Sequence, residues 1–170
     1  GDLPGHRLAA NAEIEKLALY AMGLGRAVSE SDVRALCATE FEQTLSTAIS
    51  ATLDGHPAAA NAAFDKLALA GTAGISVLRS LQFEVRRMLD AHVRIEEGQA
   101  SPNMKLRPPV WQSEWPAYRA RLSKWPVRRL TRVLERIYDA EAQAKQAGGS
   151  TDPVVRMLMN DLARAAEAAR

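Results

Sequence analysis

The sequence predicts an all-α protein on three observations. Residues of strong helix preference dominate, apolar residues recur at helical spacing, and glycine and proline punctuate those segments more than they interrupt them. Alanine, leucine, arginine and glutamate are abundant, aromatic residues make up only 5%, and β-branched residues are thinly spread, which leaves little to build strands from. A chain of 170 residues can bury roughly 70% of its unfolded surface, as one compact domain or one domain with a small appendage. Neither a disulfide nor a metal is needed to hold it together.

The first helix is expected from about Leu8 to Met22, where Ile14, Leu17, Ala18 and Ala21 share a face, and Gly23 and Gly25 stop it. Ser29 with Asp32, and Thr39 with Glu42, each have the spacing of a capping box. Two such signals ten residues apart predict two helices, the second carrying Phe41, Leu45, Ile49 and Leu53 inward and ending at Gly55. Pro57 suits a first helical turn and opens a helix through Phe64 and Leu67 that closes near Gly71. From about Ala73 to Glu97 the residues Ile75, Leu78, Leu81 or Gln82, Val85, Met88 or Leu89, His92 and Ile95 predict one long strut. Pro102, Pro108 and Pro109 make Gly98 to Val110 a connection with at most one helical turn after Ser101. Ser113 is placed to cap a helix ending near Lys124. Pro126 opens the next, with Val127, Leu130, Leu134, Ile137 and Tyr138 inward, which fades at Gly148 and Gly149. Asp152 followed by Pro153 reads as an N-cap and a first turn for a last helix bearing Val155, Leu158 and Leu162. The expected total is about eight helices, without an internal repeat.

The charge excludes some functions and leaves others open. With 22 basic and 20 acidic residues intermixed, no strong net field draws the chain to DNA or to anionic lipid. No apolar run approaches the roughly 20 residues of a membrane span, and a lone cysteine, Cys37, cannot form an internal disulfide. A cytoplasmic location is the expectation. There is no GxxxxGK[ST] loop, and Gly23-Leu24-Gly25 lacks the third glycine and preceding strand of a dinucleotide site. His6, His56 and His92 are scattered, without HExxH or CxxC, so no catalytic residue, metal ligand or cofactor is assigned. His92 on an apolar face is expected to be a core or half-buried histidine, and Cys37, among Val33, Leu36 and Ala38, a small buried hydrophobe.

Two clusters are candidate surfaces. Arg128, Arg132 and Arg136 lie at i, i+4 and i+8 with Arg129 adjacent, a ridge that could meet phosphates. Glu135 and Asp139 fall within the same turns, where local pairing would make the ridge a solvated or protein-facing surface instead. Trp111, Trp115 and Trp125 crowd around the proline-rich connection. Tryptophans suit partner hot spots, but internal packing under a long loop is the favoured reading because large aromatics are highly buried on average.

Particular stretches resemble a known family. Glu13-Ile14-Glu15-Lys16-Leu17-Ala18-Leu19-Tyr20-Ala21 is similar to the EIEKLALYA segment of bacterial DNA polymerase III clamp-loader delta subunits, and Ser29 to Leu36 resembles that family's short [IV]-[ST]-x-x-D-V helix. Leu53-Asp54-Gly55, Ala60 to Leu67, Gly71, Val77-Leu78-Arg79 and Arg86-Arg87-Met88-Leu89 follow its later pattern in order and spacing. Leu106-Arg107-Pro108-Pro109-Val110, Trp125 before Leu130, Glu141 with Lys145, and Asp152-Pro153 resemble its last region, so the likeness covers nearly the whole chain. It departs from the pattern at Cys37 and at Thr44 to Thr47, where acidic or small residues are the expectation.

The resemblance implies a small helical lid-like domain over residues 1–39, the end of an AAA+ module, followed by a helical-bundle collar domain over residues 40–170. In the family the nucleotide-binding-like domain that also grips the sliding clamp lies upstream of these. The collar packs beside the delta prime and tau or gamma subunits in a five-membered ring that loads the clamp onto DNA during replication. The implied role is assembly with those subunits and not catalysis, with DNA and the sliding clamp met through the full complex, and weak self-association of an isolated collar. An independent helical nucleic-acid-binding module using the Arg128, Arg132 and Arg136 face is the alternative.

Overall fold

The computed structural model describes Ala18, Met22 and residues 30–71, 74–146 and 151–169, the side chains of 30–39 and 146 aside. Among the described residues there are seven helices and no strand: α1 (Glu30–Asp54), α2 (Pro57–Leu69), α3 (Gly74–Glu96), α4 (Pro102–Lys105), α5 (Trp115–Lys124), α6 (Val127–Gln146) and α7 (Asp152–Glu167). The fold is all-α, as the composition predicts. No helix among the described residues is long and apolar enough to cross a membrane. The chain divides into two compact units, Gly1–Glu42 and Gln43–Arg170. Of the first, Ala18 and Met22 are helical. The rest of the expected Leu8 to Met22 helix, its stop at Gly23 and Gly25, and the Ser29 cap lie outside the described residues, as does the Cys37 side chain.

One expectation about α1 fails. Thr39 opens no second helix, because α1 runs unbroken from Glu30 to Asp54. Between those residues there is no glycine or proline to end it. A hydroxyl inside a helix can turn back on the preceding turn instead of capping, as Thr47 and Thr52 do by donating to the Gln43 and Ala48 carbonyls, each at 2.8 Å. The helix stops at Gly55, whose φ of +84° is strained for any residue with a Cβ. His56 N–H then donates to the Ala51 carbonyl at 2.9 Å, closing the last turn.

In the second unit α2 packs along α7, and α3 along α6 and α7, so α6 and α7 complete a bundle around one apolar core. Leu53 of α1, Phe64 and Leu67 of α2, Leu78, Leu81 and Met88 of α3, Leu130 and Ile137 of α6, and Met159 and Leu162 of α7 are all but fully buried. At about 25 cal/mol per Å² each such side chain contributes roughly 1.5–3 kcal/mol relative to leaving it in water. The inward face of α6 differs from expectation. Leu130, Val133, Ile137, Ala140 and Ala144 are buried, whereas Val127 and Tyr138 are exposed and Leu134 is half-buried. A helix wedged between two neighbours buries the arc that both touch, and Tyr138 stands at its rim, where Arg86 of α3 donates to its hydroxyl at 2.6 Å. Ile95, expected inward on α3, is likewise among the exposed residues.

At α7 the N-cap position belongs to Thr151, with Asp152 as the first helical residue and Pro153 within the first turn. This end is pressed against the start of α3: a Cβ on Gly74 would stand 2.7 Å from Thr151 Oγ1 and 2.9 Å from Val155 Cγ2. For α5 the cap position is Glu114, one residue past the expected Ser113.

Candidate functional site

The proline-rich connection is a built loop. Asn103 is buried, and it exchanges bonds with Val110: Val110 N–H donates to the Asn103 carbonyl at 3.0 Å, and Asn103 Nδ2 donates to the Val110 carbonyl at 2.9 Å. Arg107 donates to the Met104 and Leu106 carbonyls at 3.2 and 3.0 Å, and Leu106 and Val110 insert into the core. With both ends pinned this way, the loop holds Trp111 62% exposed and Met104 43% exposed, and Lys105 and Arg107 are exposed as well. Leaving an indole in water forgoes a large burial gain.

The next two tryptophans are inside or on the way in. Trp115 is partly buried and stacks on Tyr118, ring centroids 5.8 Å apart. Trp125 is 1% exposed and donates from Nε1 to the Leu53 carbonyl at 2.7 Å, which satisfies an acceptor in the last turn of α1. His92 is half-buried and its Nε2 lies 2.8 Å from the Trp125 carbonyl. The three tryptophans therefore do not form one surface, and only Trp111 is presented to solvent.

The arginine ridge divides too. Arg129 is structural: it lies 4.8 Å over the Trp125 ring and donates to the Lys124 and Ala165 carbonyls, each at 2.8 Å. Arg136 pairs with Asp161 of α7 and not with Glu135 or Asp139 of its own helix. Arg128 and Arg132 are exposed on the outer face of α6.

A polar cluster that no sequence motif announces fixes α5 to the bundle. Arg121 of α5 makes two parallel bonds to Asp54, 2.7 and 2.8 Å, and a third to Glu84 of α3 at 3.3 Å. Lys124 donates to the Asp54 carbonyl at 2.6 Å, and Glu84 also accepts from Arg87 at 2.9 Å. Burial opposes the charge of Arg121, and the Asp54 carboxylate outweighs it, holding the guanidinium above its ordinary pKa. The guanidinium carbons of Arg87 and Arg121 lie 5.1 and 5.7 Å from the centre of the Tyr118 ring. Burial first, and then the Glu84 carboxylate, push its phenol well above the usual range. Arg87 Nε is buried with no hydrogen-bond partner among the described residues. Paired charges of this kind set geometry, here that of α5 against α1 and α3.

Among the described residues, no group of three or more His, Cys, Asp or Glu could hold a metal ion. No family model, curated protein or solved structure matches the chain.

Proposed function

We propose that the chain is an assembly module, corresponding to the C-terminal region of a clamp-loader delta subunit, that docks to other helical chains of the same complex. The observation that carries this reading is the hydrogen-bonded loop that leaves both Trp111 and Met104 exposed to solvent. A backbone pinned beforehand loses little freedom on docking, and tryptophan is enriched among the residues that dominate interface energetics. The family resemblance supplies the identity of the partners, delta prime and tau or gamma. The test uses Trp111 as its own probe: on adding those subunits its fluorescence should shift to shorter wavelength, and Trp111→Ser should weaken association by about thirtyfold or more, the range of an interface hot spot. Unchanged emission together with unchanged affinity would remove the loop from the interface.

A second reading, nucleic-acid binding, has a narrower base. Arg128 and Arg132 are exposed and make no ion pair with the described residues. Two phosphate contacts would give only a shallow dependence of binding on salt, a slope of about −2.

A further inference from the structure

The outer face of α3 carries a second pattern, separate from the Trp111 loop. Opposite the buried line Val77, Leu81, Val85 and Met88 runs the stripe Arg79, Phe83, Arg86, Asp90, Val93 and, just past the helix end, Glu97. Its spacing alternates four and three residues, the a/d repeat by which two helices supercoil. All six are exposed except Asp90, which is half-buried. Phe83 is 54% and Val93 49% exposed, although both belong to the types most often found inside.

The stripe is complementary to itself in one orientation. Arg79 and Glu97, Phe83 and Val93, and Arg86 and Asp90 stand at equal distances on either side of Met88. If a second copy of α3 lies antiparallel across the first about a twofold axis at that level, Arg79 meets Glu97, Phe83 meets Val93 and Arg86 meets Asp90, each contact occurring twice. A parallel, in-register pair would oppose Arg79 to Arg79 and Asp90 to Asp90, so charge specifies the antiparallel arrangement as well as permitting it. The central layer retains bonding capacity: Arg86 reaches Tyr138 through one terminal nitrogen, and Asp90 accepts from Arg94 through one oxygen.

We propose that this chain forms an antiparallel, twofold-symmetric homodimer through the Arg79, Phe83, Arg86, Asp90, Val93 and Glu97 face of α3. One helix stripe with four charges among six contact positions makes a small interface, below the size of stable dimers, so the dimer is weak, reversible and weakened by salt.

The test is sedimentation equilibrium of the full 170-residue chain, alone, from about 10 μM to about 1 mM, the range in which weak interfaces populate. The wild type should show a monomer–dimer equilibrium. Arg79→Glu and Glu97→Arg each turn two attractive contacts into repulsive ones and should each weaken the dimer by about tenfold. Mixing the two variants should restore association, because both outer contacts of the mixed dimer then join a carboxylate to a guanidinium; the double variant should restore it by itself. Phe83→Ser should weaken the dimer with helical circular dichroism unchanged. A wild type that stays monomeric at the top concentration overturns the proposal, whether the face is then bare or meets a different protein. So does a dimer whose constant ignores the charge reversals, or reversals that fail to rescue each other. Because no other protein is present, these outcomes leave the partner-docking reading untouched.

Discussion

Arg121 and Asp54, 67 positions apart in sequence, are joined by two parallel bonds of 2.7 and 2.8 Å that fasten α5 to the end of α1. The Arg121 side chain is 13% and the Asp54 side chain 32% accessible to solvent, so the pair is sheltered on one side and partly screened on the other. Removing the arginine leaves Asp54 and Glu84 without their shared cation, and breaking a buried pair costs about 3–5 kcal/mol. Discounted for the exposure of Asp54, Arg121→Ala is expected to destabilise the fold by about 2–3 kcal/mol. Urea unfolding should show a lower midpoint at unchanged slope. A midpoint within the range of an ordinary surface substitution would mean that the pair is ornamental.

Tyr118 gives the pH dependence its sign. The unfolded phenol ionises near pH 10, whereas burial and then Glu84 keep the folded one protonated above that. Stability from this group is therefore complete below about pH 10 and is lost as pH rises beyond it toward the folded pKa. Tyr118→Phe should remove that alkaline loss, and at neutral pH it should cost no more than the roughly 0.5–1.5 kcal/mol of a single hydrogen bond, since the Glu84 carboxylate is the group that acts on the hydroxyl. Phenolate absorbance followed during alkaline titration checks it: one tyrosine should ionise only together with unfolding.

Two glycines of similar backbone separate strain from steric contact. Gly55 and Gly71 have φ of +84° and +75°. A Cβ at Gly55 would stand 2.6 Å from the Glu167 backbone nitrogen, whereas one at Gly71 meets nothing within 4 Å. Gly71→Ala should cost about 1–2 kcal/mol, the left-handed penalty alone. Gly55→Ala should cost at least about 1–3 kcal/mol more, because α7 must move away. Equal costs from chemical denaturation would show that the end of α7 yields freely.

Much of the bundle was legible in the sequence because its signals are local. Pro57, Gly71, Pro102 and Pro153 mark element ends where the structure has them, and the 3.6-residue repeat selects Leu78, Leu81, Val85 and Met88 on α3 and Val155, Leu158 and Leu162 on α7. Thr39 misled because a cap-like pair of residues has no power to end a helix unless something nearby also breaks it. On α6 the repeat gave the helix but not the arc, which is chosen by two neighbours at once, so Val127 and Tyr138 fell outside and Val133 and Ala140 inside.

The candidate surface was less legible, since exposure is a tertiary property. Trp111, Trp115 and Trp125 look alike in sequence and end in water, at a rim and in the core respectively. Arg129 and Arg136 are drawn to acceptors on α7 that no spacing rule could name. The cluster of Asp54, Glu84, Arg87, Tyr118 and Arg121 unites α1, α3 and α5 from distant stretches, and only the i, i+3 relation of Trp115 to Tyr118 hinted at it. Phe83 and Val93 went unremarked, although both fall out of phase with the buried line of α3, a signal from which their exposure could have been read.

Docking to other chains is tested most directly by size-exclusion chromatography with light scattering. The 170-residue chain is mixed with the C-terminal regions of delta prime and tau or gamma, in the absence of ATP, clamp and DNA. The expected result is a co-eluting complex of summed mass at micromolar concentrations, lost when Trp111 is replaced by serine. Separate elution well above that concentration, while the full-length subunits from the same source assemble, would contradict the assignment of this chain as their assembly partner.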